Sequence, residues 1–234
     1  MSFSEKILRF YKNLQPEFHL PEGVSLMNPF QNEVTWKCVQ TFYRKFYDDS
    51  SSRIAIFGIN PGRNGAGVTG IPFTDPLRLS KECGIPNDFR MVPELSSVFV
   101  YQMINEYGGV ELFYRDFFIT AVCPLGFIKN GKNLNYYDEP GLLKSSEPFL
   151  KLSIKKQVAL PVRKDICFCL GEGKNFKCLS KLNDESGFFD QIIPLAHPRF
   201  IMQYKRKEAG TYISRYVGKF RKSIKKLPGR SSGN

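Results

Sequence analysis

Short apolar runs set the rhythm of this chain. IAIFGI over residues 54–59, FFITAV over 117–122, DICFCL over 165–170 and QIIPL over 191–195 are rich in β-branched and aromatic residues, and each breaks into Gly, Asn, Pro or His. Runs of that length with such boundaries predict buried strands. Between them, apolar positions recur at helical spacing over 4–14, 33–47, 96–107, 147–160, 171–182 and 211–224, with a shorter helix over 75–80 and Ser4 as a candidate cap for the first. Residues 15–30, rich in Pro and Gly, read as a loop, as do 83–93 and the polar segment 129–135. Strands of about five residues alternating with helices predict an α/β fold, a three-layer α/β/α arrangement with a central four-stranded parallel sheet covered on both faces.

Length and composition narrow this picture without redirecting it. At 234 residues with 42% hydrophobic positions, a single domain with a sizeable core is expected. Its parts are N-terminal helices over 1–50, a core over 51–204 that carries the distinctive motifs, a basic C-terminal helix over 205–227 and a frayed end over 228–234. The opening MSFSEKILRFYKNL has charges scattered through an amphipathic pattern, and no run elsewhere reaches membrane-spanning length. The expectation is a soluble intracellular protein with no membrane partner, cytoplasmic in a bacterium or nuclear in a eukaryote. Six cysteines, at 38, 83, 123, 167, 169 and 178, match neither a disulfide ladder nor zinc or iron–sulfur spacing, so reduced thiols and no metal are expected. Alternation in ICFCL puts Cys167 and Cys169 on one strand face as packing residues.

The net charge of +12 is unevenly distributed. Between Tyr204 and Arg230 stand ten basic residues (Lys205, Arg206, Lys207, Arg215, Lys219, Arg221, Lys222, Lys225, Lys226, Arg230) against one acid, Glu208, which leaves that segment at +9. Such a cluster suits a polyphosphate partner, because neutralising phosphates releases counterions. A solvated helix face that aids solubility accounts for it equally well.

In an open α/β sheet, ligands bind beyond the carboxyl ends of the strands. The four loops there cover 60–73, 122–135, 171–175 and 196–204, which brings Asn60 and His197 into one crevice. His197 is one of only two histidines; His19, between Phe18 and Leu20, has no chemical group around it in the sequence and reads as a packed or surface residue. The loop GRNGAG over 62–67 has the glycine content of a nucleotide site but not the order of a dinucleotide fingerprint, and no Gly-Lys-Ser/Thr follows. Its glycines permit close approach of a ligand to the backbone, or serve turns.

The ordered set of motifs carries a resemblance. GINPG over 58–62, with TGIPF over 69–73, resembles the first motif of the single-strand-selective monofunctional uracil-DNA glycosylases, within the uracil-DNA glycosylase superfamily. FFITAVCPL over 117–125 resembles that family's middle motif, GKNL over 131–134 its continuation, and His197-Pro198 its last motif. The resemblance spans 53–204. It implies a metal-free, cofactor-free hydrolase of base excision repair that extrudes a damaged base from single- or double-stranded DNA, cleaves its N-glycosidic bond and leaves an abasic site, working as a monomer. Asn60 would hold the attacking water, Phe73 stack on the base, and His197 donate to the base oxygen, with Gly62 beside the base and a DNA-penetrating loop after the histidine. Ala121 stands where the family commonly has a base-reading asparagine, which leaves Thr120 or Asn133 as candidate readers. Arg199-Phe200 replaces the usual serine-containing segment. Arg199 and one of Phe200, Ile201 and Met202 are then wedge candidates, followed by Lys205, Arg206 and Lys207 for phosphates; without the motif, the same three apolar residues read as a helix start packed in the core.

The residue types suit this chemistry. Glycosidic cleavage builds positive charge on the sugar and negative charge on the base; an amide oxygen can hold water for an electrophilic sugar, and a positioned donor to the base contributes about 3 kcal/mol. Stacking on an aromatic ring contributes about 1–3 kcal/mol per base, against an extrusion cost of a few kcal/mol. Uracil, oxidised uracils and deaminated purines are the candidate substrates. Two other readings stand: a non-catalytic nucleic-acid-binding protein on the same fold, and a nucleotide-binding enzyme using the Gly62–Gly70 loop.

Overall fold

A computed structural model describes residues 1–225. Its strands are β1 Val24–Met27, β2 Arg53–Gly58, β3 Phe117–Ala121, β4 Gly126–Lys129, β5 Lys132–Leu134, β6 Val162–Leu170 and β7 Ile192–Leu195. Its helices are α1 Phe3–Lys12, α2 Glu33–Tyr47, α3 Ala66–Thr69, α4 Pro76–Lys81, α5 Leu95–Tyr107, α6 Val110–Asp116, α7 Pro140–Val158, α8 Lys174–Ser186, α9 Pro198–Tyr204 and α10 Ala209–Lys225. The four apolar runs form one parallel sheet in the order β3-β2-β6-β7. Every residue of β2 and β3 is buried, the pattern of strands covered on both faces. Neighbouring Phe117 and Phe118 show the two layers directly. Phe117 packs on Phe220 of α10 at 4.7 Å between ring centres, and Phe118 on Phe3 of α1 at 5.1 Å. The predicted three-layer α/β/α architecture with a four-stranded parallel sheet is therefore the observed one.

The differences lie where local chemistry outweighed composition. Residues 15–30 contain β1, and 129–135 is no flexible loop: β1, β4 and β5 form a second, antiparallel sheet. Its hairpin turns at Asn130-Gly131, both in the left-handed region (φ 51° and 69°), as a two-residue turn matched to strand twist requires. Ser2, not Ser4, caps α1, its hydroxyl accepting from Glu5 N–H while the Glu5 side chain accepts from Ser2 N–H. Ser4 is buried and donates to Asp48. The helix expected over 147–160 starts at Pro140, a favoured first helical position. The short helices α3 and α6 lie among glycines that hid them, and the helix expected over 171–182 runs instead from Lys174 to Ser186.

The cysteines are free, with Cys178 partly exposed and the other five buried, Cys167 and Cys169 among them. Among the described residues, no helix is long and apolar enough to cross a membrane. The expected end of the basic helix at 226–227 and the segment 228–234 lie outside the described residues.

Candidate active site

Beyond β2 and β3 the parallel ladder continues for two more bonds. Val122 N–H donates to the Gly58 carbonyl and Cys123 N–H to that of Ile59, both at 3.0 Å. These bonds lay the start of the 60–73 loop against the Cys-Pro-Leu turn, and a pocket opens there. Asn60, Gly62, Phe73, Ala121, Asn133, His197 and Arg199 all line it, so most of the residues singled out in the sequence converge. Thr120 does not. It is buried on the other face of β3, where its hydroxyl donates to Gln157 Oε1, and it cannot read a base. Strand alternation explains the correction, since residues 120 and 121 must face opposite ways.

Asn60 is held in one orientation. Its Oδ1 accepts from Tyr136 N–H at 3.1 Å, and its Nδ2 donates to the Leu134 carbonyl at 3.2 Å. An amide N–H can only donate and a carbonyl can only accept, so a flipped amide would lose both bonds. The second lone pair of Oδ1 remains for a water. Behind this contact, the buried Tyr136 hydroxyl donates to Asn175 Oδ1 at 2.9 Å, and Asn175 Nδ2 donates to the Leu170 carbonyl at 3.0 Å. The segment that grips Asn60 is thereby pinned to the end of β6. Tyr136→Phe keeps the ring and removes that tether. It is expected to lower the single-turnover rate about 3- to 10-fold, the scale of one hydrogen bond acting on a positioned group, with DNA affinity unchanged.

His197 is the N-cap of α9, and its Nδ1 accepts from Arg199 N–H at 3.2 Å. Burial, and secondarily the nearby Arg199 charge, lowers its pKa to about 4. The ring is therefore neutral at physiological pH. With Nδ1 accepting, the proton sits on Nε2, which makes that atom a hydrogen-bond donor. The Tyr216 hydroxyl donates to the carbonyl of the preceding Ala196 and anchors the turn.

Phe73 adopts φ 54°, the left-handed region that a bulky residue rarely enters. Its ring lies over Gly58, where an added Cβ would meet it at 2.7 Å, and stands 5.8 Å from the imidazole. Gly58 thus leaves the space in which the aromatic floor rests. Asn133 Oδ1 accepts from Arg63 N–H at 3.0 Å, which ties the hairpin to the glycine loop and leaves the Asn133 amide nitrogen near Gly62.

The pocket opens into an outer groove lined by Arg63, Lys132, Arg199, Phe200 and Tyr204. The expected penetrating segment after His197 is helix α9, with Ile201 and Met202 in the core and Phe200 45% exposed. Of the three apolar candidates only Phe200 can reach a ligand. Lys205, Arg206 and Lys207 follow on the surface, Lys205 paired with Glu208 at 3.1 Å. His19 is exposed and lies outside the pocket. Sequence reasoning missed Glu94, Ser96 and Asn135 in the lining, and Tyr136 and Asn175 behind it. Asn135 and Tyr136 directly follow the GKNL motif, a signal that was available; Glu94 carries none.

The family model for the uracil DNA glycosylase superfamily matches residues 44–221. The chain is also similar to a solved structure described as the crystal structure of wild-type SMUG2 from Pedobacter heparinus, with 48% identity, a TM-score of 0.94, and coverage of 96% of this chain and 99% of that one. Among curated proteins there is no match. The fold and these likenesses define a DNA glycosylase, a hydrolase acting on DNA. The chain belongs to the uracil DNA glycosylase superfamily, in agreement with the resemblance to the single-strand-selective family.

Proposed function

We propose that the protein is a monofunctional glycosylase, acting as a monomer, that removes uracil and related deaminated or oxidised bases from DNA by hydrolysis. The observation that carries this reading is the fixed polarity of two groups in one pocket: an Asn60 oxygen with a free lone pair and a neutral His197 bearing its proton on Nε2. With the base extruded and stacked on Phe73, Asn60 holds a water toward the anomeric carbon. His197 Nε2–H donates to the base oxygen on which negative charge develops. A base already unpaired or damaged is extruded at lower cost. Among the described residues no lysine lines the inner pocket, which favours hydrolysis over Schiff-base formation with the sugar.

The test is to incubate the protein with single- and double-stranded oligonucleotides bearing uracil, hypoxanthine or xanthine, followed by alkali. Strand cleavage that disappears in the Asn60→Ala, His197→Ala double variant is expected. Intact strands on every substrate refute the reading.

Ala121 sets the breadth of the pocket. A small apolar residue at the strand end neither reads a pyrimidine edge nor excludes a larger ring. Ala121→Asn adds polar atoms that a mismatched base leaves unpaired. It is expected to shift the ratio of uracil to hypoxanthine excision upward by at least about 10-fold, measured as the ratio of kcat/KM values.

A further inference from the structure

The inner pocket and the outer groove share a rim of Ile59, Gly62, Glu94, Asn133, Asn135, His197 and Arg199. If the base occupies the pocket and the DNA backbone the groove, as the proposed function requires, the sugar sits at that rim. Among the described residues, Glu94 is the only carboxylate in the lining of either cavity. Among the described residues it forms no ion pair. It stands at the N-cap of the thirteen-residue helix α5, where the helix dipole favours a negative charge, and its backbone N–H donates to Asp75 Oδ2 at 2.9 Å. A carboxylate there opposes DNA phosphates entering a groove of cations, so its presence costs binding.

We propose that Glu94 supplies the negative charge that stabilises the cationic sugar during excision. As the C1′–N bond breaks, its electron pair leaves with the base, and positive charge spreads over C1′ and the ring oxygen. The water held by Asn60 adds through its oxygen to C1′, and the proton it loses ends on the departed base. Asn60 is neutral and offers only a dipole to this cation; Glu94 offers a full charge at low dielectric. The groups facing Glu94 are Ser96 of its own helix, Arg199 of α9 and Asp75 before α4. Burial, reinforced by Asp75, holds the carboxyl above its ordinary range against the opposing pull of Ser96 and Arg199. The charge is therefore present at alkaline pH and lost as pH falls through the raised value. His197, with its pKa of about 4, stays neutral over that interval.

The experiment compares wild type, E94Q and E94D by single-turnover excision from a uracil-bearing single strand at pH 8, with DNA affinity measured in parallel. E94Q is expected to lose at least about 10-fold in rate at saturating DNA while binding DNA as tightly as wild type or more tightly, and E94D to recover part of the rate. This split separates lost charge from lost structure, which would weaken binding as well. An E94Q rate within twofold of wild type, or a loss cured by more DNA, overturns the proposal. Should E94Q not fold, the pH–rate profiles of wild type and E94D decide: an acid limb whose midpoint moves in E94D is expected, and an acid limb identical in the two proteins, or none in wild type, overturns the proposal. Excision by wild type tests the glycosylase reading, whereas the ratio of E94Q to wild type tests the role of Glu94.

Discussion

Replacing His197 by alanine is expected to slow excision at saturating DNA by about 10²- to 10³-fold, the effect of deleting one preorganised donor to a developing negative charge. The ring is committed to that task by two features. Its Nδ1 is occupied by Arg199 N–H, so the neutral tautomer presents Nε2–H. Burial keeps the pKa near 4, so wild-type activity has no limb from His197 between pH 5 and 9. The sign for stability follows. Between about 4 and the ordinary value of 6.5 the unfolded chain takes up a proton that the native ring refuses, so this histidine lowers stability as pH falls through that window. Asn60→Ala removes the water's anchor and is expected to cost a comparable factor. The two losses should combine less than additively, because both act on one transition state. Single-turnover rates for the two single variants and the double variant provide the check.

The largest expected loss of stability belongs to Arg53. Its side chain is fully buried at the start of β2. Nε donates to the Tyr114 carbonyl at 2.7 Å; the two terminal nitrogens reach both Asp49 oxygens at 2.9 and 2.8 Å and the carbonyls of Ser51 and Phe46 at 3.0 and 3.3 Å. The guanidinium also lies 5.0 Å from the Phe3 ring and 4.7 Å from that of Tyr47. Arg53→Ala leaves a cavity and unpaired carbonyls, and is expected to cost about 3–5 kcal/mol, read as a lower denaturant midpoint with the slope unchanged. Asp49→Asn is expected to cost only about 1 kcal/mol, because Asp49 is 44% exposed and water can replace it. Excision per folded molecule should be unchanged in Asp49→Asn, since neither residue lines the pocket.

Arg53 also shows where reading the chain stops. In the sequence it is a charge flanking an apolar run, and nothing local says that its side chain is buried with all five donors partnered. Thr120 and Ala121 teach the reverse lesson: once 117–122 is taken as a strand, period two places them on opposite faces, and only Ala121 can meet the ligand. The hairpin over 126–134 was legible too, because Asn130-Gly131 is the turn that two-residue hairpins favour, but the polar composition around it pointed to a loop.

The sequence by itself determined the parallel sheet, because buried strands must be apolar throughout and end in residues that break them. It also determined that Asn60 and His197 meet, because parallel strands deliver their carboxyl ends to one edge, whereas Phe73 was legible only through the resemblance. Only the tertiary structure decided the polarity of that site. Which way the Asn60 amide points, which imidazole nitrogen carries the proton, and that Glu94 brings a carboxylate to the rim depend on what segments distant in the chain place beside them. Tyr136 lies 76 positions from Asn60. Hydrogen-bond direction and local dielectric arise from what folding brings near, and spacing along a chain does not encode them.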